Sequence, residues 1–138
     1  MKFIHPSEFD RRFWLTPPDI YSKLDAEFGF DFDPCPYPRP EGYNSLDIEW
    51  GRVSYVNPPF RTKDTPDGRG PTAFVRKAIA ENKKGKTVVM MIPTQSYVNL
   101  LIEAGAELRS AGRVRWLSGV DGEPTNSPSP ITSFILRP

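Results

Sequence analysis

The chain has 138 residues, of which 38% are hydrophobic and 25% charged, with a formal net charge of +1. That length suits one domain with a single core and leaves no room for a second specificity domain of ordinary size. A lone Cys35 and a lone His5 exclude a disulfide framework or cysteine-rich zinc site and argue against histidine-based triads or metal centres, so no metal site is expected.

The longest apolar run, residues 88–92, is too short to span a bilayer, so no membrane association is expected. With no signal-like opening and little cysteine, the expected location is cytoplasmic, in a bacterium or a phage-infected host. Proline is overabundant at 16 residues, about twice the usual share of roughly 5%. Proline plus glycine still falls below the level of a disordered chain, and the aromatic content can fill a core, so the prolines belong in ordered loops. Charge is uneven as well. Residues 1–60 carry 6 basic and 10 acidic side chains, residues 61–86 carry 8 and 3, and residues 87–138 carry 4 and 4. The middle segment is a local basic patch of the kind that attracts phosphates, or else a solvated helix and loop.

Residues 1–12 read as an N-terminal arm to a single domain spanning 1–138. A first helix is expected from Pro17–Pro18, with Thr16 as its N-cap, an apolar stripe of Ile20, Leu24 and Phe28, and Gly29 as its stop. Phe30–Asp33 alternates like a short strand, and the proline-rich loop 34–42 follows. Val53–Val56 is a second strand, halted by Asn57-Pro58-Pro59. After a polar loop at 61–71, Thr72 is expected to cap a helix reaching Asn82, with Phe74 and Ala78 inward and the basic Lys83–Lys86 at its end. Thr87–Ile92 is apolar throughout and reads as a central strand. The spacing of Tyr97, Leu100, Leu101, Ala104 and Leu108 predicts a helix over about 96–110, closed by Gly112. Arg113–Leu117 and Ser133–Arg137 read as late strands, separated by the loop 118–131. Strand and helix alternate, which makes an α/β domain with a partly parallel sheet.

Chemistry is expected where Val53–Val56 runs into Asn57-Pro58-Pro59-Phe60, because open α/β sheets bind ligands at the carboxyl ends of their strands. The two prolines stiffen the turn and remove local amide competitors for the Pro58 carbonyl. Asn57 adds an amide oxygen, and Phe60 a flat face. Two acceptors and a ring make a receptor for a planar exocyclic amine. Accepting both amine hydrogens favours a pyramidal nitrogen, and no strong base is needed.

Asn-Pro-Pro-Phe at a strand end resembles the (D/N/S)-P-P-(Y/F) signature of S-adenosylmethionine-dependent amino methyltransferases. Phe13-Trp14-Leu15-Thr16-Pro17-Pro18-Asp19-Ile20 is similar to the W-x-T-P-x-x-I segment of adenine-specific members, and Phe32-Asp33-Pro34-Cys35-Pro36 to the element after their first strand. Leu46–Trp50, Gly112–Trp116 and Ser127–Leu136 resemble segments of the compact phage-type DNA N-6-adenine methyltransferases, the Dam-like phage family, and the matches run in order over about 13–137.

The resemblance implies a minimal Rossmann-like class I sheet of about five strands with flanking helices. It also implies methyl transfer from S-adenosylmethionine to the N6 amino group of adenine flipped out of double-stranded DNA. Asn57, Pro58, Pro59 and Phe60 would hold the adenine. Thr16 and Asp33 would contact the cofactor's methionine part, with Trp14, Pro34 and Asn57 also in the cofactor site and Asp47 or Glu49 on its adenine or ribose. Two departures stand out. The first loop is rich in proline instead of glycine, and only 19 residues separate Asp33 from Val53, too few for the usual two helix–strand units. With no separate target-recognition domain, Arg61, Lys63, Arg69, Arg76, Lys83, Lys84 and Lys86 are the candidate nucleic-acid contacts. A homodimer is one way for so small a domain to cover a DNA site. RNA adenine, cytosine N4 or a glutamine amide would suit the same turn, and a non-catalytic nucleic-acid-binding module is the reading from a different class. Tyr97 and Asn99 either face the target base or lie on a helix surface.

Overall fold

A computed structural model describes residues 14–36, 41–58, 70–93, 97–118, 123 and 129–138. In chain order its elements are β1 (Trp14–Leu15), α1 (Pro18–Phe28), a 3-10 turn at Ser45–Asp47, β2 (Val53–Val56), α2 (Pro71–Lys83), β3 (Thr87–Pro93), α3 (Val98–Glu103), β4 (Glu107–Val114), β5 (Leu117–Ser118) and β6 (Ser129–Leu136). The main sheet has the order β2-β3-β6-β4, and β1 pairs with β5 in a separate two-stranded ribbon. β2 and β3 are parallel, while β6 is antiparallel to both β3 and β4. β2, β3 and β4 therefore all run the same way, and their carboxyl ends share one edge of the sheet.

The architecture is mixed α/β, as expected, with four strands in the main sheet among the described residues. The anticipated strand at Phe30–Asp33 shrinks to one bridge, in which Phe32 lies parallel to Ser54. The Asp31 amide donates to the Val53 carbonyl at 2.9 Å and the Tyr55 amide to the Phe32 carbonyl at 3.0 Å. Pro34 has no amide to continue the ladder. Gly51 makes the close approach possible, since a Cβ there would stand 2.7 Å from the Phe32 Cβ.

Helices cover both faces. Ile20, Tyr21 and Leu24 of α1 pack with Tyr55, Met91, Val114, Trp116 and Ile131. Phe74, Val75 and Ala78 of α2 and Leu101 of α3 pack with Val56, Val88, Met90, Ile92, Phe134 and Leu136. Alternation along β2 and β3 sends neighbouring side chains to these two clusters. β3 is buried on both faces from Val88 to Ile92, the position its continuous apolar run dictates.

Helix ends depart from expectation in informative ways. α1 has Pro17 at its N-cap with no side-chain cap, and Thr16 turns its hydroxyl to Tyr55 instead. Gly29 ends that helix in the left-handed conformation at φ 66°, its amide bonding the Asp25 carbonyl at 2.8 Å. α2 starts on Pro71 after Gly70, so Thr72 is inside the helix instead of capping it.

The helix expected over 96–110 is corrected most. α3 stops at Glu103, Gly105 takes φ 83°, and residues from Glu107 onward form β4. Leu108, expected in the last turn of a helical stripe, sits opposite Phe134 of β6. Pairing with a core strand overrides the local period across a glycine. The late strand expected at Arg113–Leu117 is divided between the end of β4 and β5, and the last strand is longer than expected, running from Ser129. Most of the loop before it lies outside the described residues, as do 37–40 and 59–69.

One buried carboxylate ties the segment before β2 to α2. The Glu81 side chain has no solvent exposure and sits 2.8 Å from Lys84 Nζ and 3.0 Å from Lys86 Nζ. The Trp50 amide donates to Glu81 Oε1, and Lys86 also donates to the Trp50 carbonyl at 2.7 Å. Burial alone would raise this carboxyl, but hydrogen bonds from Lys84, the Trp50 amide and Lys86 outweigh it and hold it down to about 2.

Because the folded value lies below the unfolded one, this stabilisation is present above about pH 4.3 and is lost as pH falls toward 2. Glu81→Ala is expected to cost about 3 kcal/mol in urea unfolding at pH 7, the low end for deleting one buried partner because Lys84 stays half exposed. Glu81→Gln is expected to flatten the decline in stability between pH 4.3 and 2, as followed by circular dichroism.

Candidate active site

The carboxyl end of β2 is where the predicted residues converge. Val56 is fully buried, Asn57 is half buried, and Pro58 is buried. Tyr55 and Asn57 are two residues apart, so both side chains leave the strand on the side covered by α1. Thr16 comes to the same place from the turn before α1. Its Oγ1 is hydrogen-bonded to the Tyr55 hydroxyl and accepts from Asn57 Nδ2 at 3.5 Å. With Nδ2 directed at Thr16, the amide plane carries Asn57 Oδ1 away from Thr16.

Aromatic packing fixes Tyr55 on this face. Tyr21 meets its ring edge-on at 5.1 Å, and the Phe30 ring centroid is 5.2 Å away. Burial, together with the negative charge of Asp33, pushes the Tyr55 hydroxyl well above its usual range, so it remains protonated. A neutral phenol here is a hydrogen-bonding brace for Thr16 and, through it, for the asparagine.

Asp33 follows the Phe32 bridge at this same edge. Its Oδ1 accepts from the Cys35 amide at 2.8 Å, and Pro34 behind it is buried. The carboxylate keeps solvent access, yet surrounding protein raises its pKa above the usual range, only partly offset by the Cys35 amide. Desolvation of this kind is relieved by a cation beside the carboxylate.

The structure thus brings together Thr16, Asp33, Pro34, Asn57 and Pro58. The Trp14 side chain, Pro59, Phe60, Arg61, Lys63 and Arg69 lie outside the described residues. Asp47 is exposed on the 3-10 turn and accepts from Asn44 Nδ2 at 3.1 Å. Glu49 is drawn elsewhere, 3.2 Å from Lys86 Nζ. Arg76 is exposed on α2. Lys83, Lys84 and Lys86 stand immediately before β3 and so at the amino ends of the parallel strands, opposite Asn57. Tyr97 is a core residue whose hydroxyl donates to the Pro93 carbonyl at 2.8 Å, its pKa pushed up to about 12 by burial, while Asn99 is exposed.

Two contributors carry no motif of their own. Tyr55 reads in the sequence only as part of a strand, although its place two residues before Asn57 puts it on the asparagine's face. Glu81 continues the inward stripe of Phe74 and Ala78, so its signal is an acid on an apolar helix face followed by lysines. Among the described residues no group of three or more His, Cys, Asp or Glu is placed to hold a metal, and no helix is long and apolar enough to cross a membrane.

Tyr55→Phe is expected to cost about 1 kcal/mol of stability, since it leaves the Thr16 hydroxyl short of a partner. It should also shift the Asn57 side-chain amide resonances in a nitrogen–proton correlation spectrum. Unchanged resonances would mean that Tyr55 does not brace the asparagine.

No curated protein and no solved structure matches the chain. A family model, DNA N-6-adenine-methyltransferase (Dam), matches residues 5–129. The match contains every residue brought together at the end of β2, from Thr16 to Pro58. The chain belongs to the DNA N-6-adenine-methyltransferase (Dam) family, and its activity is methylation of adenine N6 in DNA.

Proposed function

We propose that the chain takes its methyl group from S-adenosylmethionine bound along Thr16, Asp33 and Pro34. The adenine, in this reading, is flipped from double-stranded DNA onto Asn57, Pro58, Pro59 and Phe60. The observation that carries the reading is the tethering of Asn57 to Thr16 at the carboxyl end of β2, with Asp33 at the same edge. The four-stranded sheet and the parallel Phe32 bridge support a pared-down, Rossmann-like class I sheet of about five strands in a single domain. In such a sheet the ligand edge survives although the middle units are gone. A lone Cys35 fits a reducing, cytoplasmic setting.

The donor set suits this cofactor. A carboxylate whose desolvation a cation would relieve is matched to an ammonium, and the Thr16 hydroxyl is matched to a carboxylate. When bound, the cofactor supplies an electrophilic methyl on a sulfonium. Asn57 Oδ1 and the Pro58 carbonyl accept the two hydrogens of the adenine amine and turn its lone pair outward. Pro58 and Pro59 offer no amides of their own to these acceptors. The Asn57 amide is no base, and none is required, because an alkylated amine is cationic and acidic enough to lose its proton to water. Glu49 is held by Lys86, which leaves Asp47 as the proposed ribose contact. Unstacking the base costs a few kcal/mol, drawn from contacts to the DNA backbone.

Asn57→Ala is expected to lower transfer of labelled methyl to DNA by at least about a hundredfold, the scale for removing a transition-state hydrogen-bonding group. Cofactor affinity by calorimetry should stay within a few-fold. Asp33→Asn is expected to do the reverse first, weakening cofactor binding about tenfold or more. A fully active Asn57→Ala variant, or absence of cofactor binding at millimolar concentration with and without DNA, would overturn the reading.

A further inference from the structure

Strand direction divides the basic residues of this chain into two sets. Lys83, Lys84 and Lys86 belong to the end of α2 and the residue before β3, and the register puts Asn57 level with Met91, about 13 Å along β3 from Thr87 at roughly 3.3 Å per residue. Lys84 and Lys86 are also engaged by Glu81 and Glu49. These lysines, at the end of the most basic segment, are therefore far from the catalytic turn, and Lys84 and Lys86 are balanced by the two acids.

A different basic pair lies on the catalytic edge. β4 runs parallel to β2 and β3 and ends on Arg113 and Val114, with Arg115 and Trp116 following it directly. Val114 and Trp116 are 1% and 3% exposed and anchor in the core against α1, while Arg113 and Arg115 are exposed. The alternation means the arginines leave the opposite side of a strand that is held in register by β6. β4 also extends past its bulge at Ser110–Arg113 to pair Val114 with Ser129, carrying the arginines beyond the level of Pro93, which pairs with Ile131. Arg113 has no ion-pair partner among the described residues.

We propose that Arg113 and Arg115 contact the phosphates of the DNA strand flanking the target adenine. β4 is three strands from β2, about 14 Å across the sheet at roughly 4.8 Å per step. The register also puts Arg113 about three residues, about 10 Å, further along the strand direction than Asn57, so the two are about 17 Å apart, about five base pairs at about 3.4 Å of axis per nucleotide. Planar guanidinium groups on a rigid strand end are suited to phosphate oxygens, and they fix the register of the duplex over the turn without reading its sequence. This proposal rests on the reading of the chain as a DNA-acting enzyme.

The test is DNA affinity as a function of salt, measured by fluorescence anisotropy on a labelled duplex with wild type and three variants. Arg113→Gln/Arg115→Gln is expected to weaken binding about five- to tenfold and to reduce the log–log salt slope by about 0.9 for each phosphate no longer neutralised. Arg113→Lys/Arg115→Lys, which keeps the charge, should retain most of the slope. Arg52→Gln removes one charge at the opposite sheet edge, where β2 begins, and should leave both affinity and slope at wild-type values. Cofactor affinity should be the same in all four proteins. If the double glutamine variant binds with wild-type affinity and slope while wild type binds and methylates DNA, the arginine assignment is wrong. Wild-type protein that neither binds nor methylates DNA would instead overturn the functional reading on which it rests.

Discussion

The parallel pairing of β2 with β3 is the constraint from which the rest follows. Two parallel strands cannot be joined by a hairpin, so the chain must cross back over the sheet, and α2 is that crossover. The crossover forces both carboxyl ends onto one edge and both amino ends onto the other. Asn57 then lies at a ligand-binding edge for a topological reason, before any side chain is considered. β4 inherits the same direction because it is separated from β3 by one antiparallel strand, β6. A sheet of four described strands thereby presents three carboxyl ends on one edge, with the amino end of β6 between those of β3 and β4. The carboxyl ends share that edge although only 19 residues separate Asp33 from Val53.

Two clamps hold this frame at its ends. At the amino edge, Glu81 gathers the Trp50 amide and two lysines, fixing where β2 begins. At the carboxyl edge, Tyr55 and Thr16 link β2 to the segment entering α1. The clamps differ chemically for good reason. A buried carboxylate is tolerable beside lysines, whereas an extra charge next to Asn57 would compete for its amide. Neutral hydroxyl groups orient Asn57 without that competition. The separate network of Glu27, Glu107, Arg109 and Arg137 over Phe28 pins the far end of α1 to β4 and β6. It is solvent-exposed, so it sets geometry more than stability.

What the sequence made legible was whatever had a local physical cause. β2 and β3 are short β-branched runs with clear stops, and α1 begins at a proline and ends at a glycine that must be left-handed. The end of β2 was legible because a proline follows it directly after Asn57. What stayed hidden depended on partners distant in sequence. Nothing local distinguishes Leu108 as a strand residue, since only Phe134 opposite it makes it one. Thr16 looks like a helix cap because caps are local, but its hydroxyl goes to Tyr55, 39 residues on. Phe30–Asp33 alternates correctly yet manages one bridge, because a strand needs length in its partner as well as in itself.

Charge shows the same limit most clearly. Counted along the chain, residues 61–86 are the basic region, and a phosphate-binding role follows naturally from the count. Counted in space, the described lysines at the end of that stretch surround an acid from within it and another from residue 49. Their field is largely cancelled within a few ångströms, well inside a Debye length of about 8 Å at physiological salt. Residues 87–138 are balanced on paper, yet two of their four arginines, Arg109 and Arg137, are committed to Glu27 and Glu107, while Arg113 at the end of β4 has no ion-pair partner among the described residues. Direction of the strands, more than composition of the segment, decides which charges a bound duplex would meet. In this protein the lysines at the end of the most basic stretch hold the fold together.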